Sequence, residues 1–285
     1  IKRQGSERFI ENEFYKISPD SKGSLTILDK KNQKEYRNMN TYISRGDIGD
    51  EYQHVSPLVD EHVFASLRSV SVIKNSTLAA TLKIKSVLNV PKSADERFLG
   101  RSQEYVECPI ETEVTLYKGC ERIDFKVEIE NRAENHVITA KFSTDFINPV
   151  DYSHVSFDEV ERDNRLFDFD KDLRSTQSFL KPMQYYAGIK GEDGALNVIA
   201  RGIYEYQTKP SEKGLDLYLT LLKSTSYMFR DIPISWQSGQ HSTTPIISTE
   251  DSKELGKSTF YYSLYFGREK LSELSQQYIY PLRSF

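Results

Sequence analysis

The chain has 285 residues, with 38 Lys and Arg against 42 Asp and Glu and a net charge of -4. That near balance leaves no cationic footprint for nucleic acid or an anionic membrane surface. No apolar run approaches the roughly 20 residues that a membrane-spanning helix needs, and 285 residues are ample for a large core.

In chain order, the first pattern is a hairpin. Phe14–Ile17 and Leu25–Leu28 are separated by Asp20-Ser-Lys-Gly23, a turn sequence. Alternation of period two then marks Val63–Ala65–Leu67, Val70–Val72 and Leu82–Ile84, with Lys74-Asn75-Ser76 as a break. Val114–Leu116 and Ile123–Phe125–Val127–Ile129 flank a turn at Lys118-Gly119, and Val137 to Phe142 continues the alternation. Gly191-Glu-Asp-Gly194 joins Tyr185–Ile189 to Leu196–Ile199 as a second hairpin. Leu215–Leu217–Leu219–Leu221 reads as a strand, Ser235 to Lys257 as a long polar loop, and Phe260–Tyr262–Leu264–Phe266 as a further strand. Arg268 to Tyr278 carries Leu271, Leu274 and Tyr278 at helical spacing, the best helix in the chain.

About 15 strands in antiparallel succession predict an all-β fold of two large stacked sheets. With no repeat, low-complexity tract or linker, residues 1–285 read as a single large β-sandwich domain. The chain begins at Ile1 rather than Met, so a piece of a longer polypeptide is expected. Cys108 and Cys120 stand on either side of the strand Ile110–Tyr117, which would hold their backbones too far apart to bridge. Free thiols point to a reducing, cytoplasmic compartment.

The familiar catalytic templates are missing. There is no G-x-S-x-G elbow, no H-E-x-x-H, no phosphate loop and no C-x-x-C. The five histidines (His54, His62, His136, His154, His241) are scattered, and read as surface or hydrogen-bonded structural residues. Four polar segments remain. Arg45-Gly-Asp-Ile-Gly-Asp-Glu-Tyr52 sets Asp47, Asp50, Glu51, a guanidinium and Tyr52 around two glycines. Carboxylates accept hydrogen bonds from sugar hydroxyls, and tyrosine adds a stacking face, although an acidic solvated turn would look the same. Arg201-Gly-Ile-Tyr-Glu-Tyr206 offers Arg201, Glu205 and Tyr206 at a strand end, where a structural ion pair is as good a reading. Leu219-Thr-Leu-Leu-Lys-Ser224 places Lys223 as an apolar strand ends. Glu130-Asn-Arg-Ala-Glu-Asn-His136 is a polar turn whose Asn and His would satisfy backbone groups.

In this order the four segments resemble the C-terminal β region of family 38 glycoside hydrolases, the α-mannosidases. The resemblance begins at Ile10-Glu-Asn-Glu-Phe-Tyr15 and Gly23-Ser-Leu-Thr-Ile-Leu-Asp-Lys30. It runs through Gly46–Tyr52, Glu130-Asn131 with Asn135-His136, Arg201-Gly202 with Glu205-Tyr206, and Leu219–Lys223. It closes on Thr244-Pro245, Leu255-Gly256 and Tyr280-Pro-Leu282. Each motif alone is weak, and their order and spacing carry the likeness over nearly the whole chain. Lys223 stands where the family usually has Arg, Val137 where a basic residue is common, and the stretch from Pro245 to Gly256 is longer.

The resemblance implies a galactose-mutarotase-like supersandwich of large antiparallel sheets with at most a short C-terminal helix. It implies a retaining, zinc-dependent α-mannosidase whose catalytic domain precedes this region. No cofactor is expected in this chain, and the Zn2+ would sit in that catalytic domain. The implied partners are that domain of the same polypeptide and a mannoside substrate, without nucleic acid or membrane. Related enzymes often associate, which leaves a homo-oligomer open. The chain alone is expected to be inactive, to pack on the catalytic domain and to shape the sugar pocket. Its expected rim residues are Arg45, Asp47, Asp50, Glu51, Tyr52, Arg201, Glu205, Tyr206 and Lys223. Two alternatives stand beside this reading. A free-standing carbohydrate-binding module would suit the 18 tyrosines, though one Trp is few for a sugar-stacking stripe. A mutarotase-like sugar epimerase would need an acid and a base on one face, for which Glu51, His54 or His136 could be put forward.

Overall fold

The protein is described by a computed structural model that covers residues 9–51, 54–97, 99–162, 180–229 and 247–281. Among these, strands dominate and every pairing is antiparallel. The chain opens with β1 (Ile10–Glu11), β2 (Tyr15–Pro19), β3 (Leu25–Asp29) and β4 (Lys34–Met39), a small sheet in sequence order. β5 (Thr41–Gly46) and β6 (Val63–Phe64) follow, then β7 (Ser66–Asn75), β8 (Ala79–Pro91), β9 (Tyr105–Tyr117) and β10 (Arg122–Asn131). β11 (His136–Ser143), β12 (Val150–Val155) and β13 (Asp158–Arg162) come next. After them are β14 (Lys181–Pro182), β15 (Tyr186–Gly191), β16 (Gly194–Arg201), β17 (Glu205–Pro210) and β18 (Leu215–Ser224). A short ribbon of β19 (Tyr227–Phe229) and β20 (Ile247–Ser248) precedes the long β21 (Gly256–Phe266) and the helix α1 (Leu271–Ile279).

Two large sheets form the body. One has nine strands in the order β13-β12-β15-β16-β21-β10-β9-β8-β7, and the other six in the order β14-β17-β18-β11-β5-β6. Alternation decides which side chains meet between them. Ile123, Phe125, Val127 and Ile129 of β10 are buried, as are Ala140 and Phe142 of β11 and Leu217 and Leu219 of β18. They join one core with Ile17, Leu25 and Ile27 of the small sheet. This is the all-β, stacked-sheet architecture with a short C-terminal helix that the sequence predicts.

The predicted hairpins form where the turn residues stand. Gly191 and Gly194 close the β15–β16 hairpin, and a Cβ on either would lie 2.6 Å from a Phe146 side-chain carbon. The helix starts later than the apolar pattern suggests. Its Leu271, Leu274 and Tyr278 are buried with Tyr152, Tyr186, Ile199 and Tyr265 in a second cluster. The expected loop from 235 to 257 lies outside the described residues up to 246. The remainder is ordered differently from a loop, as β20, a turn of 3-10 helix at Asp251–Lys253 and the start of β21. Both cysteines are free, Cys108 inside β9 and Cys120 beyond its end.

Candidate functional site

Three of the four polar segments meet at one end of the six-stranded sheet. The register sets Arg45 opposite Val137, which in turn faces Lys223, and Gly46 opposite His136, which faces Ser224. β5 therefore delivers its trailing loop beside both the Glu130–His136 turn and the end of β18.

The loop is not a solvated acidic turn. Asp47 is fully buried, Arg45 is 5% exposed and Asp50 6%. The Asp47 Oδ1 atom accepts from the backbone N–H groups of Gly49 (2.9 Å) and Val55 (3.1 Å), which folds the loop around the carboxylate. Oδ2 lies 3.0 Å from His54 Nδ1 and 3.9 Å from Lys223 Nζ. Burial by itself would raise this carboxyl's pKa. The charges of His54 and Lys223, with the Gly49 N–H, outweigh that and hold it below the usual carboxylate range. Lys223 Nζ also donates to the Glu51 carbonyl at 3.4 Å, and the Glu51 N–H donates to the Tyr227 carbonyl at 3.1 Å. Glu51 keeps its side chain exposed.

Gly46 is fixed by space. A Cβ there would lie 2.6 Å from Pro57 Cγ and 3.1 Å from Arg101 Cδ. Its N–H donates to both Asp60 oxygens at 3.0 Å, and Asp60 faces Arg101 Nη1 at 3.6 Å. His136 lies beneath. Its Nε2 is 3.0 Å from Asn131 Oδ1, an acceptor, so Nε2 carries the proton and Nδ1 accepts from Ser44 Oγ at 3.0 Å. Burial first, then the Arg101 charge, push its pKa down to about 3, so the ring is neutral. Asn131 Nδ2 donates to the carbonyls of Ala133 (3.0 Å) and Glu254 (3.0 Å), so this turn serves the backbone as its composition suggests.

The fourth segment goes elsewhere. Arg201, at the end of β16 in the nine-stranded sheet, donates through Nε (2.7 Å) and Nη2 to the Tyr278 carbonyl, and its guanidinium stacks on the Tyr278 ring at 4.3 Å. A cation there complements the C-terminal end of α1. Tyr206 is buried and donates to Asp151 Oδ2 at 2.7 Å. Glu205, on β17, is near enough to favour the charged form of Arg45. Tyr52 lies outside the described residues. The groups brought together are thus the Asp47 carboxylate, the Lys223 ammonium and the main chain of Glu51, with Arg45 two strands from Lys223 in the same register. The sequence did not point to Asp60 or Arg101 as parts of the site, and named His54 only as an acid or base in the epimerase alternative. His54 sits seven positions after Asp47 in the same loop, a spacing that could have been read, whereas Arg101 arrives from a distant segment and leaves no local signal.

Among the described residues no group of three or more His, Cys, Asp or Glu side chains converges to hold a metal ion.

Comparison with known proteins is consistent across the chain. Residues 10–232 match the family described as the C-terminal domain of glycosyl hydrolases family 38. A Halalkalibacterium halodurans protein named "Putative mannosylglycerate hydrolase" is 30% identical over 232 residues, which is 75% of this chain and 25% of that protein. An α-mannosidase from Enterococcus faecalis V583 superposes with a TM-score of 0.82 at 22% identity, over 96% of this chain and 31% of that one. A second Enterococcus faecalis structure, a protein of glycosyl hydrolase family 38, gives 0.80 at 22% identity over 96% and 32%. The chain thus spans a quarter to a third of the length of these relatives. With residues 10–232 matched by the family and 30% identity over 75% of the chain to the Halalkalibacterium halodurans protein, the chain belongs to glycosyl hydrolase family 38, as its C-terminal domain.

Proposed function

We propose that this chain is the C-terminal domain of an α-mannosidase-like glycosidase, that it packs on the enzyme's catalytic domain, and that it shapes the rim of the sugar pocket. The carrying observation is the buried Asp47 carboxylate with His54 at 3.0 Å and Lys223 at 3.9 Å, at the strand ends where three family motifs meet. Asp47 orients the loop, while Lys223 and Glu51 stand at its mouth, able to donate to and accept from sugar hydroxyls. A retaining glycosidase works with two carboxyl groups about 5 Å apart. We assign that pair, and the zinc that the resemblance implies, to the rest of the enzyme, where the resemblance places the catalytic domain. The isolated chain should then give no turnover of an aryl α-mannoside, with or without added zinc. Metal-dependent turnover by the purified chain would overturn the assignment.

A second reading concerns the aglycone. The 30% identity to a protein whose name carries mannosylglycerate favours an α-mannoside of glycerate as substrate of the parent enzyme. Comparing the full-length enzyme's kcat/KM on mannosylglycerate and on a neutral α-mannobioside tests it, and a preference for the neutral sugar would count against it.

A further inference from the structure

The face of the six-stranded sheet turned away from the core is polar and positively charged. Register and alternation put the cations Arg45, Lys141, Lys209 and Lys223 and the carboxylates Glu205 and Asp216 on it, with Thr139, Gln207, Tyr218 and Thr220 between, whereas Ala140, Phe142, Leu217 and Leu219 point inward to the other sheet. Tyr218 sits in the middle, with Lys141 Nζ and Lys209 Nζ each 5.9 Å from its ring centre. Lys141 is neutralised by Asp216 at 2.8 Å. Arg45 and Lys209 are not. Among the described residues no carboxylate comes within ion-pair distance of either, and Glu205, Asp60 and Asp47 act on Arg45 only from farther away.

Four buried polar atoms on this face have no partner among the described residues: Arg45 Nε, Gln207 Oε1, Thr220 Oγ1 and Asp216 Oδ1, the last on the carboxylate that pairs with Lys141, and the Arg45 and Gln207 side chains belong to residues 5% and 4% exposed. Nearly every buried donor and acceptor in a folded protein is satisfied, and an uncompensated buried cation is costly. Burial, and then repulsion by Arg45, push the Lys209 ammonium down to about 8, and the same two cations bear on His62. Lys209, Tyr218 and Thr220 are half-buried, so the cluster is reached from the side of β17 and β18.

We propose that this face is a binding site for a small hydroxylated oxyanion, with Arg45 and Lys209 holding the carboxylate or phosphate and Gln207 and Thr220 bonding its hydroxyl groups. A guanidinium donor without a partner and an unpaired ammonium suit an anion. An orphaned amide and hydroxyl suit the hydroxyls beside it. Sugar acids, hydroxy-carboxylates and sugar phosphates share this chemistry. The proposal does not depend on which glycoside the parent enzyme cleaves.

Calorimetric titration of the 285-residue chain with glycerate, and separately with inorganic phosphate, tests it at constant ionic strength set with chloride. Saturable binding of at least one anion is expected, and the two arms tell carboxylate from phosphate. Lys209→Met, a change at a half-buried strand position, should weaken that binding roughly tenfold, as loss of a charge-assisted contact does. Arg45→Met should weaken it at least as much, with circular dichroism confirming the fold of each variant. If neither anion saturates, or if binding is unchanged in a folded Lys209→Met variant, the site is not there.

Discussion

The carboxylate of Asp47 and the imidazole of His54 meet at 3.0 Å inside a loop where Asp47 is wholly buried. The same carboxylate holds two backbone N–H groups, so it is at once the folding centre of the loop and the partner of an imidazole and an ammonium. Removing it leaves the Gly49 and Val55 N–H groups and the His54 side chain without their acceptor. Asp47→Ala should cost about 3 kcal/mol, the range for breaking a buried pair, read as a lower urea midpoint. A cost under about 1 kcal/mol, typical of exposed pairs, would mean that the loop does not depend on it.

Acid should destabilise the protein in two stages. The folded-state pKa of His136 is lowered from 6.5 to about 3. The unfolded chain therefore takes up this proton first, and stability is full above 6.5 and falls as pH drops toward 3. The slope is about 1.4 kcal/mol per pH unit for one proton. Asp47, whose folded pKa lies below its ordinary value of 3.8, adds a second loss below that value. Urea melts at pH 7, 6 and 5 should show the first stage, and His136→Gln should flatten it.

Lys209 carries the same sign into the alkaline range. Its pKa is depressed from 10.5 to about 8, so the folded state carries a penalty that is complete below 8 and disappears as pH rises through 10.5. Lys209→Met should stabilise the free chain at pH 7 by about 1 kcal/mol, after allowance for screening at a half-exposed position. A thermal melt that moves down instead would contradict the unpaired-charge account of this face.

Gly46→Ala should destabilise by about 1–3 kcal/mol, the usual result of overpacking. The added methyl meets Pro57 and Arg101, and relief would pull the Gly46 N–H away from Asp60. Equilibrium unfolding reads this directly, and an unchanged midpoint would show that the Pro57 loop yields freely.

Arg201→Met should act on α1 and not on the loop at Asp47. Its two bonds to the Tyr278 carbonyl and its stacking on the Tyr278 ring tie down the helix end. Amide exchange over 271–279 should quicken by roughly fivefold, for about 1 kcal/mol of local stability. Exchange around Asp47 should stay as it was.

The fold was legible because it is written in alternation. Ile123, Phe125, Val127 and Ile129 declare a half-buried strand wherever that strand lies in the sheet. Two-residue strands such as β14 and β20 are too short to show a period, and they were not foreseen. The site was legible in part. The motif order placed Arg45–Glu51 and Lys223 among the candidates, and antiparallel register brings them together. Arg201 and Tyr206 share a motif with Glu205, yet successive elements carry Arg201 to the nine-stranded sheet and Tyr206 to Asp151. Nothing local in sequence distinguishes a cation that caps a helix from one that lines a pocket. The burial of Asp47 was hidden too, because its cover comes from a loop that closes back on itself through Val55.

Lys223 offers the most direct test of the proposed rim. Its ammonium reaches both the Asp47 carboxylate and the Glu51 carbonyl from a strand end, so its removal should disturb ligand contact more than folding. In the full-length enzyme, kcat/KM for an aryl α-mannoside should fall at least roughly tenfold in Lys223→Met, the loss of one charged hydrogen bond, and Lys223→Arg should recover most of it. A Lys223→Met enzyme within a few-fold of wild type would contradict the rim role.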